Sequence, residues 1–169
     1  MSDLREVKPE ALSRNVFNMV GKEWMLVTAG NEEALNTMTA SWGGMGVMWG
    51  KKVAFVVIRP QRYTKKFVDA SDTMSLTFYN EEYRKTLSYL GRVSGKDENK
   101  VEKSGLTVAF HNNTPYFKEA NTALIVRKLY KQDYDPSCFM EESVKEQWYP
   151  QQDYHTMYIC EILDVLVQE

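Results

Sequence analysis

Hydrophobic positions along the chain fall into short runs, and most of them repeat every second residue. Residues 23–30, "EWMLVTAG", read as a strand, and "NEEA" after them as a turn. Residues 35–42, "LNTMTASW", set Leu35, Thr37, Thr39 and Ser41 against Asn36, Met38, Ala40 and Trp42. That period of two predicts a second strand, paired with the first as a hairpin. The continuous apolar run in "KVAFVVIR" predicts a buried strand, and "TMSLTFY", "LTVAFH", "TALIVRKLYKQ" and "TMYICEILDVLV" four more. Helical spacing is rarer. "PEALSRNVFNMVG" places Leu12, Val16 and Met19 on one face behind Pro9. "RYTKKFVDA" does the same with Tyr63, Phe67 and Ala70, and "NEEYRKTLSYLG" reads as an Asn-capped helix. Six or seven strands therefore outnumber the short helices, and strands follow one another directly at both ends. The pattern predicts one mainly β (α+β) domain over residues 1–169, an antiparallel barrel with helices outside it rather than a doubly wound sheet.

One stretch resists this reading. "NTMTASWGGMGVMWG" joins short polar residues to four glycines and two tryptophans. Its glycines superficially invite a dinucleotide fingerprint, but that motif needs a strand–turn–helix context, and here the glycines are expected to link two strands. Short side chains at Thr37, Thr39, Ala40 and Ser41 would let a flat ligand approach the main chain, which offers donors and acceptors to its edge. The plainer alternative is an ordinary strand with hydroxyls on its solvent face. Trp42 and Trp49 read more readily as core or interface residues than as ligand partners.

Two further segments are suited to an anion. In "RPQRYTKKF", Arg59, Arg62 and Thr64 converge around a helix start, as a phosphate requires. In "RVSGKDENK", Ser94, Gly95 and Lys96 form a nest-like turn with a hydroxyl and an ammonium beside it. Each alone could be a solvated surface turn; together they fit a single monophosphate.

Charge and composition narrow the partners. The 21 basic and 23 acidic residues leave a net charge of −2, which gives no electrostatic case for nucleic acid or an anionic membrane. No apolar run approaches a membrane span, and the charged start "MSDLREVKPE" carries no signal-peptide pattern, so a cytoplasmic protein is expected. Cys138 and Cys160 form no C-x-x-C and are expected as small apolar fillers. No metal site is expected: His111 and His155 stand 44 residues apart without a second ligand at helical or hairpin spacing. His111 reads as a turn residue.

The order of "LNTMTASWGGMGVMWG", "VVIRPQRYTKKFV", "GRVSGKDENKVEKSGLT" and "DYHTMYICEI" resembles the flavin reductase-like, FMN-binding split-barrel family, and the likeness runs from about Trp24 to Val167. The resemblance implies a split β-barrel homodimer holding FMN at or near the subunit interface. It implies that Asn36, Thr37, Met38, Thr39, Ala40, Ser41 and Trp42 run along the flavin ring. Arg59, Arg62, Thr64, Ser94, Gly95 and Lys96 would hold the phosphate. It implies an oxidoreductase taking hydride from NADH or NADPH and passing it to flavin or a small acceptor. An FMN-binding electron carrier of the flavoredoxin kind, or a non-catalytic FMN-binding module, stays open beside it. His155 is either a structural histidine or the catalytic polar group beside the flavin, and Tyr154 is expected to pack rather than stack on the ring.

Overall fold

The computed structural model describes residues 4–168; the first three residues of the charged start and Glu169 lie outside the described residues. Ten strands are present among the described residues: β1 (Leu4–Val7), β2 (Met25–Gly30), β3 (Leu35–Ala40), β4 (Gly43–Met48), β5 (Lys51–Ile58), β6 (Thr73–Phe78), β7 (Val108–His111), β8 (Thr114–Phe117), β9 (Thr122–Asp133) and β10 (Thr156–Gln168). Five short α-helices accompany them: α1 (Val16–Asn18), α2 (Thr64–Ala70), α3 (Arg84–Arg92), α4 (Lys100–Lys103) and α5 (Glu142–Trp148). One sheet runs β3-β2-β6-β9-β10-β5-β4, with β1 added on β10, and β7 and β8 form a separate hairpin.

Every pairing in that path is antiparallel. The two ends, β3 and β4, therefore run in the same direction. Yet only Ser41 and Trp42 separate them. Adjacent parallel strands need a crossover of a dozen or more residues, so β4 cannot lie beside β3; it continues it. Laid flat, the seven strands would hold the two edges about 29 Å apart at the usual strand spacing. Three Cα–Cα steps span about 11 Å at most. The sheet must curl until β5 meets the continuation of the strand that began beside β2. Closure comes from chain continuity, with no ladder between β3 and β4, and the result is a split barrel.

Alternation fills that barrel. Met25, Val27 and Ala29 point inward with Met38, Ala54, Val56, Ile58, Met74, Leu76, Leu124, Val126 and Tyr158, and all are buried. Leu26, on the other face of β2, packs beneath α3 with Leu87 and Leu90. Val68 of α2 reaches the barrel core. Thr28 and Thr37, buried on the outer face of the predicted hairpin, hydrogen-bond each other at 2.9 Å.

Several expectations change in detail. The glycine stretch is not a link between strands: residues 43–48 are strand β4 itself, paired with β5. Gly43 has φ +152°, and a Cβ there would lie 2.3 Å from the Phe55 carbonyl oxygen; a Cβ on Gly44 would meet the Phe55 ring. Gly43 and Gly44 are set by close packing against β5. The helix predicted from Pro9 is broken, because Asn15 takes an extended conformation and its side chain accepts the Asn18 N–H, restarting the helix as α1. The segment "FHNNTPYF" is a tight hairpin: Asn112 and Asn113 both take positive φ, and His111 closes β7. Helix α5 had no clear periodic signal. Cys160 is buried as expected and its thiol is pushed up to about 12 by burial, but Cys138 is exposed.

Gly43→Ala should test the junction. The added Cβ meets backbone that cannot move, so unfolding free energy should fall by about 1–3 kcal/mol, read by denaturant titration, whereas Gly46→Ala, with open space around it, should cost well under half of that.

Candidate functional site

The ladder of β3 with β2 ends at the pair Met25–Ala40, and that of β4 with β5 begins at Gly43–Val56. Ser41 and Trp42 lie between the two, with main-chain groups that no strand neighbour takes. A cavity of about 180 Å³ opens at this gap, lined by Met38, Thr39, Ala40, Ser41, Trp42, Val57, Arg59, Arg62 and His155. The far ends of β5 and β10 supply its other wall: Thr156 pairs with Ile58, so His155 and Arg59 leave the sheet side by side.

Two further cavities continue from it. One of about 340 Å³ lies between residues 39–41 and α3, against Trp24, Leu87 and Gly91. The other, about 180 Å³, is bounded by Arg62, Thr64, Gly91, Arg92, Ser94 and Lys100. They share walls through Thr39 to Ser41, Arg62 and Gly91. The result is one bent groove with a flat aromatic end and a cationic end.

At the cationic end the arrangement is unusual. The Arg62 guanidinium is half-buried, meets no carboxylate among the described residues, and has its pKa lowered by burial. The Lys100 side chain is buried, and its Nζ donates to the Leu90 and Val93 carbonyls at 2.8 and 2.9 Å. Burial first, and the Arg62 charge second, hold Lys100 down at about 8. Two cations with no counter-ion, beside the Ser94 hydroxyl, form a place for an anion.

The expected site residues divide accordingly. Arg62, Thr64 and Ser94 line the cationic cavity. Lys96 does not: it is exposed and lines a neighbouring cleft with Asp97 and Glu98, while its own N–H donates to Ser94 Oγ. Lys100 takes the position that the sequence reading gave to Lys96. Its charged surroundings in "DENKVEK" mimic a solvated loop, so only the Asn99-capped turn of α4 reveals that it points inward. Gly95 supports the site from behind, since a Cβ would lie 2.4 Å from Asn36 Oδ1. Asn36 in turn donates through Nδ2 to Thr64 Oγ1 at 3.0 Å, tying β3 to α2. Thr37, on the same face of β3 as Thr39 but buried, is bound to Thr28 and to the Val27 carbonyl and lines none of these cavities. Thr39 lines the groove and donates to the Leu87 carbonyl, anchoring α3. Helix α2 has only seven residues, so the anion site rests on side chains rather than on a helix dipole.

Arg59 shares the first cavity with Arg62 but takes no part in the cavity of Arg62 and Lys100. It pairs with Asp153 at 2.8 Å, donates to the Trp148 carbonyl at 2.9 Å, and lies over the Tyr149 ring. This latch holds the segment after α5 across the cavity. Trp42 packs edge-on against Trp148 and lies 5.1 Å from His155 between ring centroids. Tyr154 stacks on Tyr149, not into the cavity. His155 is buried, accepts or donates at Nδ1 with Tyr149 Oη at 2.7 Å, and is pushed down to about 4, chiefly by burial and then by Arg59. Trp148 and Tyr149 escaped the sequence reading because nothing in "KEQWYPQQ" indicates what they will pack against.

The chain belongs to the flavin reductase-like family: the profile of the flavin reductase like domain matches residues 18–169. A comparison with curated proteins gave no sequence match. Among solved structures, the chain is similar to an FMN-binding domain of flavin reductases-like enzyme from Shewanella baltica (TM-score 0.70, 16% identity, covering 99% of this chain and 79% of that one). It is also similar to an FMN-binding protein from Thermus thermophilus with bound p-hydroxybenzaldehyde (TM-score 0.70, 17%, covering 98% and 82%). A third is flavoredoxin of Desulfovibrio vulgaris (Miyazaki F) (TM-score 0.67, 22%, covering 96% and 78%). At these identities the likeness is one of fold.

The latch can be tested directly. A Gln61 hydrogen bond, then Arg59, hold the Asp153 carboxyl below the usual range, so it contributes stability above the unfolded carboxylate pKa and loses it as pH falls through the folded value. Asp153→Asn should lower the thermal midpoint at neutral pH, and the gap to the wild type should close as the solution is acidified below about pH 4.

Proposed function

We propose that the chain is an FMN-binding oxidoreductase, with the phosphate at the Arg62–Lys100 end of the groove and the flavin ring at the β3–β4 junction. The observation that carries this is the pair of cations without a counter-ion at one end of a groove whose other end is a strand of short side chains. FMN has one phosphate and one flat tricycle, and the groove offers one anion site and one close-packed main-chain surface. Arg62, Lys100, Thr64 and Ser94 would hold the phosphate. The unpaired main-chain groups at Ser41 and Trp42 would meet the ring edge. When bound, the flavin supplies hydride and electron chemistry. The protein's part is to bind and orient it, to keep the Arg59 charge near the ring, and to shield one face with Trp42.

The electron donor in this reading is NADH or NADPH, and the reaction is reduction of flavin or of a small acceptor. Rapid bleaching of bound flavin by NADH or NADPH under anaerobic conditions is the expected result; reduction only by a protein donor would instead make the chain a flavoredoxin-like carrier, and no reduction by either a non-catalytic module.

The assembly proposed is a homodimer. Phe55, Ile159 and Tyr130 are lateral neighbours on the outer face of β5, β10 and β9, with Trp49 beside Tyr130 at 6.3 Å. Phe55, Tyr130 and Trp49 are exposed at 38%, 42% and 58%. Such a patch of large apolar side chains beside the site suits a second copy. Light scattering should give about twice 19.6 kDa, and Phe55→Glu should reduce it toward one chain.

Two binding predictions follow from the cationic end. FMN should bind in preference to riboflavin. Arg62→Ala should weaken FMN at least roughly tenfold, as expected for one charge-assisted hydrogen bond, and leave riboflavin nearly unchanged; both are read by fluorescence titration. Because Lys100 sits at about 8 in the free protein and a phosphate would raise it, FMN binding should take up a proton. Affinity should then fall as pH rises from 7 through about 9, and Lys100→Met should flatten that slope.

At the ring end, side-chain volume should matter. Ser41→Leu or Ala40→Leu should expel flavin while circular dichroism stays folded, since overpacking costs about 1–3 kcal/mol.

A further inference from the structure

We propose that Tyr149 is a positioning residue that fixes His155 as an imidazole with its proton on Nε2, so that the cavity at the β3–β4 junction is built to take a hydrogen-bond-accepting ligand oxygen, a carbonyl foremost. This rests on reading that cavity as a ligand site, but not on which cofactor fills the groove.

The Tyr149 hydroxyl is buried in an aromatic cluster with Tyr134, Phe139 and Tyr154. Its one hydrogen-bond partner among the described residues is His155 Nδ1, at 2.7 Å. Burial raises the Tyr149 pKa, so the phenol keeps its proton. If Nδ1 carried the imidazole proton, it would donate to the phenol oxygen and leave the phenol proton with no acceptor. If the phenol donates to Nδ1, both groups are satisfied and the imidazole proton must sit on Nε2. An unmade hydrogen bond on a buried group is the costlier arrangement.

Nε2 has no protein acceptor among the described residues, and His155 lines the cavity with Trp42 and Arg59. The charged and titratable groups around the ring are Arg59, Asp153, Tyr134 and Tyr149. Arg59 is held by Asp153 and by the Trp148 carbonyl, so its charge lies near the cavity while its hydrogen bonds are largely committed. Burial and that charge keep the imidazole neutral well below pH 7. The cavity therefore presents the His155 Nε2–H beside the Arg59 and Arg62 cations. That combination favours an oxygen that accepts a hydrogen bond and gains negative charge, and disfavours a group that can only donate.

Long-range ¹⁵N correlation spectra of histidine in the protein, with and without added FMN, test this. The expected result is a single Nε2–H tautomer for His155, unchanged between about pH 5 and 8. In Tyr149→Phe, with fold verified by circular dichroism, the single tautomer should give way to a mixture and the pKa should rise. Benzaldehyde should shift the His155 Nε2 resonance more than toluene at equal concentration. The Tyr149→Phe change should weaken benzaldehyde roughly tenfold. An Nδ1–H tautomer in the wild type, or a Tyr149→Phe spectrum identical to it, would overturn the positioning role. Equal responses to benzaldehyde and toluene, or none to either, would overturn the ligand chemistry. A protein that retains no FMN but keeps the tautomer would refute the cofactor assignment and leave this one standing.

Discussion

Two residues, Ser41 and Trp42, connect the opposite ends of a seven-strand ladder, and most of the molecule follows from that tether. Because β3 and β4 point the same way, the link cannot turn the chain back, and the sheet must wrap to bring β5 alongside. The interior that wrapping creates is filled by the inward face of each strand. In the gap it leaves, where one ladder has ended and the other not begun, Ser41 and Trp42 have a strand neighbour on neither side. The groove lies there because the closure is covalent rather than hydrogen-bonded.

The rest of the site is organised around that gap by secondary brackets. Asn36, Thr64 and Gly95 lock β3, α2 and the loop after α3 together, and this brings Arg62 and Lys100 side by side. Arg59, Asp153 and the Trp148 carbonyl hold the segment after α5 over the opposite end. The two ends differ in a telling way. Arg59 has its counter-charge inside the protein, whereas Arg62 and Lys100 have none among the described residues. Burial of unpaired cations is costly unless an anion joins them, so the cationic end is an energetic liability that a phosphate would relieve. This liability follows from the charges themselves, whatever the family or fold.

Much was legible along the chain. Period-two alternation in residues 35–42 and continuous apolar runs elsewhere set the β character, the β2–β3 hairpin and most of the inward-facing core, because one face of each strand must be buried whatever the topology. Arg62, Thr64, Ser94 and the short residues of β3 were visible as candidate chemistry because residue type and local spacing suffice to suggest it. Gly43 and Gly44 were visible as unusual, but not as parts of a strand, since their reason is the Phe55 backbone and ring across the ladder.

What only the tertiary structure decided were matters of pairing between distant segments. Lys96 and Lys100 are equivalent in composition and context; the turn of α4 buries one against the Leu90 and Val93 carbonyls and leaves the other in water. Arg59 and Arg62 stand three residues apart, yet Asp153, almost a hundred positions downstream, claims the first and leaves the second without a partner. Tyr149 acquires its role only because β10 returns His155 to the end of β5. Sequence fixes which groups a segment can offer, through local spacing and periodicity. Which of them are left unsatisfied, and so available to a ligand, depends on contacts that no local pattern encodes.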